Sequence, residues 1–300
     1  MNQLTQLRGV IPPLVTPLTK AGNIDEKAFR TLIRRMLTIG VNGLFILGSS
    51  GEFACLTDDQ KTCLVEVAID EIGNKVPLLV GVGDTSTARV LKNIERLTVP
   101  GVSGIVVCPP YFFPLSDRAI EEFYKVIART SQVPVILYNV PQTTKNWISI
   151  NTIGRLVESE NIVGIKDSSG DMAHFQRLLE VTGEKQSFAV FQGDERVMGL
   201  SILAGAAGIV PGLANVDPKL CLELYEYAVQ GDVKGTIRLQ MQLVELSALY
   251  QTASSPVGGL KTALNLMDYC EQWLTHPLDC QRLESEHIGI SKILKECGLL

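Results

Sequence analysis

Eight short, apolar, β-branched runs recur along the chain, at residues 9–15, 43–47, 77–82, 104–107, 134–138, 163–166, 188–191 and 208–210. Their starts lie roughly 20 to 35 residues apart, the length of one strand, one helix and their turns, and eight such units close a barrel. The runs are continuous rather than alternating, as expected for parallel strands buried on both faces. Between them lie amphipathic stretches with helix-start chemistry. Ile24-Asp25-Glu26 opens one, and Phe29, Leu32, Ile33 and Met36 follow at helical spacing. Thr57 and Gln60 have the spacing of a capping box, and Ser116 before Asp117 and Asp217 before Pro218 mark two further starts. An open doubly wound sheet is the competing architecture. It calls for Gly-x-Gly-x-x-Gly after the first strand, where this chain has Gly9-Val10-Ile11-Pro12-Pro13; the later Gly81-Val82-Gly83 has Ser86 where the third glycine belongs. The expected fold is therefore an α/β (β/α)8 barrel over residues 1–225. A C-terminal helical region, 226–300, follows it, with helices at 232–252, 256–267 and 278–294 broken at Ala253-Ser254-Ser255-Pro256 and Thr275-His276-Pro277.

Several function classes are disfavoured by composition. A net charge of -5 over 300 residues does not suit nucleic-acid binding. The segment Met1 to Arg8 has no apolar signal core, and no apolar run reaches the roughly 18 residues of a membrane span, which points to a cytoplasmic protein. Seven cysteines, at 55, 63, 108, 221, 270, 280 and 297, form no Cys-x-x-Cys pair and are expected to be reduced. His174, His276 and His287 show no His-x-x-x-His spacing, so a histidine-rich metal site is not expected.

In a barrel the active face lies at the carboxyl ends of the strands, and that is where the polar residues cluster. The sixth run ends in Lys166, followed by Asp167-Ser168-Ser169-Gly170. Burial disfavours a charged lysine, and a neutral amine can attack a ketone to form a Schiff base; alternatively, Lys166 snorkels out and pairs with Asp167. After the second run comes Gly48-Ser49-Ser50-Gly51-Glu52, either an anion nest of N–H groups and hydroxyls suited to a carboxylate or a plain glycine-rich turn. Tyr138, ending the fifth run, either points its hydroxyl into the mouth for proton transfer or packs its ring in the core. Gly193-Asp194-Glu195 after the seventh run either binds substrate hydroxyls or caps the next helix. Pro211-Gly212-Leu213-Ala214-Asn215 forms another mouth loop of small residues, and the aromatics of Cys108-Pro109-Pro110-Tyr111-Phe112-Phe113-Pro114 either meet a partner subunit or pack locally.

Taken together, Gly9-Val10-Ile11-Pro12-Pro13, Gly48-Ser49-Ser50-Gly51-Glu52, Tyr138-Asn139-Val140-Pro141 and Gly164-Ile165-Lys166-Asp167 resemble the dihydrodipicolinate synthase / N-acetylneuraminate lyase family of pyruvate-dependent class I aldolases, over essentially the whole chain. The resemblance implies a (β/α)8 barrel with a helical C-terminal region and assembly as a homotetramer or homodimer. It implies Lys166 as the Schiff-base lysine, Tyr138 as the proton-moving tyrosine, Gly48, Ser49 and Ser50 as the carboxylate-holding turn and Ser168 as a hydroxyl near substrate. Two departures separate the chain from the synthases of that family. Thr143 stands where they carry an arginine for the second substrate's carboxylate, and Phe112 stands at their inter-subunit tyrosine relay, with Tyr111 beside it. Gly193-Asp194-Glu195 is similar to the hydroxyl-binding stretch of sialic-acid lyases, and Lys166-Asp167-Ser168 with Ala214-Asn215 is similar to keto-deoxy sugar acid and 4-hydroxy-2-oxoglutarate aldolases. The expected activity is reversible cleavage of a 2-keto-3-deoxy acid, or of a 4-hydroxy-2-oxo acid, to pyruvate and an aldehyde, with no metal or organic cofactor. Dihydrodipicolinate synthesis, keto-deoxy acid dehydration and a keto-acid-sensing barrel are the alternatives.

Overall fold

The computed structural model describes residues 7–183, 185, 187–278 and 284–300. Most of the N-terminal octapeptide, Cys280 and part of the expected 278–294 helix lie outside the described residues. Eight parallel strands form the sheet: β1 (Gly9–Val10), β2 (Leu44–Ile46), β3 (Leu78–Gly81), β4 (Gly104–Val107), β5 (Val135–Asn139), β6 (Ile162–Asp167), β7 (Ala189–Gln192) and β8 (Gly208–Ile209). From β2 to β8 each strand pairs with the next in sequence, and β8 pairs with β1. Between β1 and β2 the ring closes through a parallel bridge, Pro13 to Phe45, where Phe45 N–H donates to Pro12 O and Leu14 N–H donates to Phe45 O. The first strand is shorter than the run at 9–15 predicts because Pro12 and Pro13 have no N–H to give a ladder.

Side-chain alternation divides the apolar residues into two layers. On β4 and β5, Ile105, Val107, Val135 and Leu137 pack outward beneath the helices, whereas Val106, Ile136 and Tyr138 fill the barrel interior with Phe45, Leu79 and Phe191.

Helices alternate with the strands: α1 (Glu26–Ile39), α2 (Asp58–Ile72), α3 (Thr87–Leu97), α4 (Asp117–Thr130), the one-turn α5 (Pro141–Thr144), α6 (Ile150–Leu156), α7 (Met172–Thr182), α8 (Met198–Leu203) and α9 (Pro218–Val229). The caps legible in sequence form as expected. Asp25 accepts from Ala28 N–H, Ser116 from Ala119 N–H, Asp217 from Leu220 N–H, and Thr57 and Gln60 make a reciprocal capping box. Each cap stabilises its helix by about 1 kcal/mol. Beyond α9 the described residues form helices only: α10 (Val233–Leu246), α11 (Leu249–Thr252), α12 (Pro256–Leu266) and α13 (Glu284–Glu296). The single helix expected over 232–252 is interrupted at Ser247 and Ala248, where no proline or glycine signals a break. Leu278, the expected start of the last helix, lies in a turn.

Candidate active site

Lys166 is the fifth residue of β6, beside Tyr138 of β5 and Phe191 of β7 in register. Ile165 packs outward, so Lys166 turns into the barrel, where it is only 6% exposed. Its Nζ lies 4.4 Å from the Tyr138 ring centre and 5.3 Å from that of Phe45. No carboxylate pairs with it among the described residues. The alternative reading, an ion pair with Asp167, fails for a geometric reason: adjacent residues of a strand face opposite sides. Asp167 points out of the barrel, where Oδ1 accepts from Asn139 Nδ2 at 2.6 Å and Oδ2 accepts from Ser169 Oγ at 2.8 Å. Burial pushes its carboxyl up to about 6, against the pull of those two bonds. His174 Nε2 lies 4.0 Å from Asp167 Oδ1, and burial lowers the pKa of this imidazole.

Ser49 and Ser50 begin a single turn of 3-10 helix, Ser49–Gly51, whose leading N–H groups have no acceptor within the turn. Gly48 enters it against the Phe45 ring, which a Cβ would meet at 2.7 Å. Thr16 Oγ1 donates to Gly51 O, and Glu52 closes the turn in the left-handed region at φ 58°. Behind the turn, Glu52 is fully buried. Its Oε1 lies 2.5 Å from Lys261 Nζ of α12, while Oε2 accepts from the N–H and hydroxyl of Thr275. Ser49 Oγ is 3.3 Å from the Tyr138 hydroxyl, joining turn and strand end.

Two cavities meet at Ser49 and Tyr138. One, of about 310 Å³, is lined by Lys166, Ser50, Ser168, Gly193, Glu195 and Tyr250, and is roofed by Ser255, Val257 and Leu260 of the C-terminal region with Leu278. The other, of about 280 Å³, is lined by Phe53, Cys108, Tyr111, Val140, Thr143 and Thr144. Burial, reinforced by Asp84, pushes the Tyr111 hydroxyl up to about 12. Phe112 and Phe113 beside it are 77% and 68% exposed and lie edge to face.

The paired acids after β7 separate. Asp194 caps the turn that follows, accepting from Arg196 N–H, and forms an ion pair with the Arg196 guanidinium. It does not line the Lys166 cavity, so of its two expected readings the capping one matches its placement. Glu195 does line that cavity. Gly212 N–H, Leu213 N–H and Tyr250 hydroxyl all donate to its Oε1, and none of these bonds uses Oε2. Burial raises the Glu195 carboxyl against those three bonds. Gly193 supplies room: a Cβ there would lie 2.0 Å from Ser168 Oγ and 2.8 Å from Lys166 Cε. Asn215 fastens the mouth loop after β8, accepting from Val15 N–H and donating to Pro13 O and Gly212 O.

Tyr250, the α12 roof and the Glu52–Lys261 pair are absent from the sequence reading. Tyr250 gives no signal. Lys261 does give one, as a lone cation among Leu260, Ala263 and Leu264 in an apolar helix, a position that demands a partner.

The model of the Dihydrodipicolinate synthetase family matches residues 6–296. Similar curated proteins include the "Probable 2-dehydro-3-deoxy-D-pentonate aldolase YjhH" of Escherichia coli (strain K12), 33% identical over 87% of each chain. Another is the 4-hydroxy-tetrahydrodipicolinate synthase of Geobacter sulfurreducens, 29% identical over 98% of this chain and 99% of the relative. Among solved structures, dihydrodipicolinate synthase from Thermotoga maritima superposes with a TM-score of 0.93 at 29% identity, covering 98% of this chain and 100% of that one. YagE, an Escherichia coli K12 prophage protein of the dihydrodipicolinic acid synthase family solved in complex with pyruvate, superposes with a TM-score of 0.93 at 27% identity, covering 98% and 99%. The barrel, its strand-end lysine and tyrosine and these likenesses agree: the chain belongs to the dihydrodipicolinate synthetase family.

Proposed function

We propose that this protein is a pyruvate-dependent class I aldolase that reversibly cleaves a 2-keto-3-deoxy acid, or a related 4-hydroxy-2-oxo acid, into pyruvate and an aldehyde. The observation that carries the reading is the buried Lys166 amine, without a carboxylate partner among the described residues, in one cavity with the Tyr138 hydroxyl and the Ser49–Ser50 turn. Lys166 Nζ attacks the C2 ketone and water leaves, giving an iminium. Tyr138 takes the proton of the C4 hydroxyl, the C3–C4 bond breaks toward the iminium, and the aldehyde departs. The remaining enamine is protonated at C3 and hydrolysed, releasing pyruvate and the free amine. The Ser49–Ser50 turn holds the carboxylate throughout, with Ser49 Oγ also bridging to Tyr138. Glu195 and Ser168, which line the Lys166 cavity, are the residues expected to accept hydrogen bonds from hydroxyls of the aldehyde half; Asp194 is engaged with Arg196 instead. No step calls for a metal or organic cofactor.

Thr143 favours cleavage over dihydrodipicolinate synthesis. It lines the second cavity, which has no arginine or lysine among its described lining residues to grip a second carboxylate. The aldolase name of the Escherichia coli relative points the same way. The exposed Phe112 and Phe113 support assembly as a homodimer or homotetramer. No helix of the described residues is long and apolar enough to cross a membrane, and a cytoplasmic location fits the reaction.

The test is intact-mass analysis after pyruvate and borohydride. One reduced pyruvate imine per chain, mapped to Lys166 and lost in Lys166→Ala, is the expected result. A stable adduct in Lys166→Ala would remove Lys166 as the nucleophile, and no adduct on the folded native chain would leave a keto-acid-sensing barrel as the better description.

A further inference from the structure

We propose that Glu52 and Lys261 are positioning residues for the carboxylate-binding turn, so that the C-terminal helical region completes the site as well as roofing it. The inference rests on the pyruvate reading above. Ser49 and Ser50 lie outside the strand ladder, in a turn of three residues, and a turn that short does not hold its own shape. It is gripped at both ends. Gly48 is wedged against Phe45 and Thr16 bonds to Gly51 O at one side; at the other, Glu52 leaves the turn with its backbone in the left-handed region and its side chain driven inward.

Inside, both Glu52 oxygens are engaged by the C-terminal region and not by the barrel. Lys261 Nζ lies 2.5 Å from Oε1, with both side chains 0% exposed, and Thr275 donates twice to Oε2 at 2.7 and 2.8 Å. Lys261 in turn donates to Trp273 O at 2.6 Å. The same helix presents Val257 and Leu260 to the Lys166 cavity. One rigid element therefore sets the roof of the substrate cavity and the back of the turn that receives the substrate carboxylate.

Charge gives the pair a second effect. Glu52 is the residue next to the anion-binding turn, and an uncompensated buried carboxylate there would oppose a bound keto-acid carboxylate. Lys261 cancels that field and costs no solvent-exposed charge. Tyr138 and Lys166 stand on β5 and β6, which the backbone ladder holds in register independently of α12. Loss of the pair should therefore weaken carboxylate binding while leaving the bond-breaking groups in place.

The experiment compares the full-length protein with Lys261→Met, Glu52→Gln/Lys261→Met and Thr275→Val. It measures the pyruvate concentration that half-saturates borohydride trapping, pyruvate binding by calorimetry, and turnover at saturating substrate. Lys261→Met is expected to raise half-saturation about tenfold or more, in keeping with the cost of an orphaned buried charge, with saturated turnover within about threefold. The double variant, which removes both charges, is expected to recover most of that loss. Thr275→Val, which deletes one bond to Glu52, keeps the proposal testable if Lys261→Met does not fold, and is expected to raise half-saturation about threefold. A lower melting temperature with pyruvate half-saturation unchanged in the folded variants would make the pair merely structural and overturn the proposal. If the native protein neither binds nor traps pyruvate, the pyruvate reading fails and this inference falls with it; native binding with unaltered variants refutes this inference alone.

Discussion

Gly193→Ala is the substitution for which the structure gives the sharpest expectation. The φ of Gly193 is not in the left-handed region, so its backbone can accept a side chain; what it lacks is space. The new methyl carbon would sit 2.0 Å from Ser168 Oγ, 2.8 Å from Lys166 Cε and 3.2 Å from Asp167 O. Carbon contacts settle at about 3.5 to 4.0 Å, so Ser168 must rotate away and Lys166 Cε must retreat by roughly 1 Å. Asp167 O cannot yield as easily, because it already accepts from Gly193 N–H at 2.7 Å within the sheet edge. A misplacement of about 1 Å at a reacting group costs roughly 10²-fold in rate. The expected result is a fall of that size in the rate of imine trapping by borohydride, read by quenched-flow mass spectrometry, with a native circular-dichroism spectrum. Gly193→Ala/Ser168→Gly separates the two contacts. It relieves the Ser168 clash and keeps the Lys166 one, so trapping should stay slow. Native-like trapping in the single variant, or full recovery in the double, would refute the claim that Gly193 is there to make room for the lysine.

Two further outcomes follow from the site. Tyr138→Phe should retain pyruvate trapping, since Lys166 and the Ser49–Ser50 turn remain, but slow aldol cleavage by roughly 10² or more; unchanged turnover would take the tyrosine out of proton transfer. Asp167 offers a pH test of stability. Its folded pKa, about 6, is above the ordinary 3.8, so between those values the folded state holds a proton that the unfolded chain has lost, and stability falls as pH rises through that window. The shift corresponds to about 3 kcal/mol lost by pH 7 relative to pH 3. Asp167→Asn keeps the shape without the charge, so its stability relative to the native chain should improve by one to three kcal/mol, on the order of that shift, between pH 4 and 7 in urea titrations. A native-minus-variant difference that does not change with pH would contradict the burial account of this carboxyl.

The barrel was legible because parallel strands buried on both faces read as unbroken apolar runs, and because Asp25, Thr57, Ser116 and Asp217 announce helix starts by local chemistry alone. Lys166 and Tyr138 were legible for the same reason: each is a polar interruption at the end of such a run. What local pattern could not distinguish was direction. Asp194 and Glu195 are chemically alike neighbours, yet the partner of one is two residues away, at Arg196, while a partner of the other is Tyr250, 55 residues on. Likewise Asp167 was an equally plausible partner for Lys166 until the pleat sent the two side chains to opposite faces. The short first strand reflects two prolines whose effect on the ladder was readable but was outweighed by the apolar run.

The link from Glu52 to Lys261 also has a meaning in time. Synthesis runs from the N-terminus, and all eight strands have been made once Ile209 leaves the ribosome, with Lys166 and Tyr138 already among them. Tyr250, Leu260 and Lys261 come roughly 40 to 50 residues later, about 2 to 10 seconds at typical elongation rates. During that interval a nascent barrel would have no roof above Lys166 and no cation opposite the Glu52 carboxylate behind the Ser49–Gly51 turn. A chain cut short before α12 would therefore carry the strand-end lysine and tyrosine without Lys261 opposite Glu52 and without the residues that roof the Lys166 cavity.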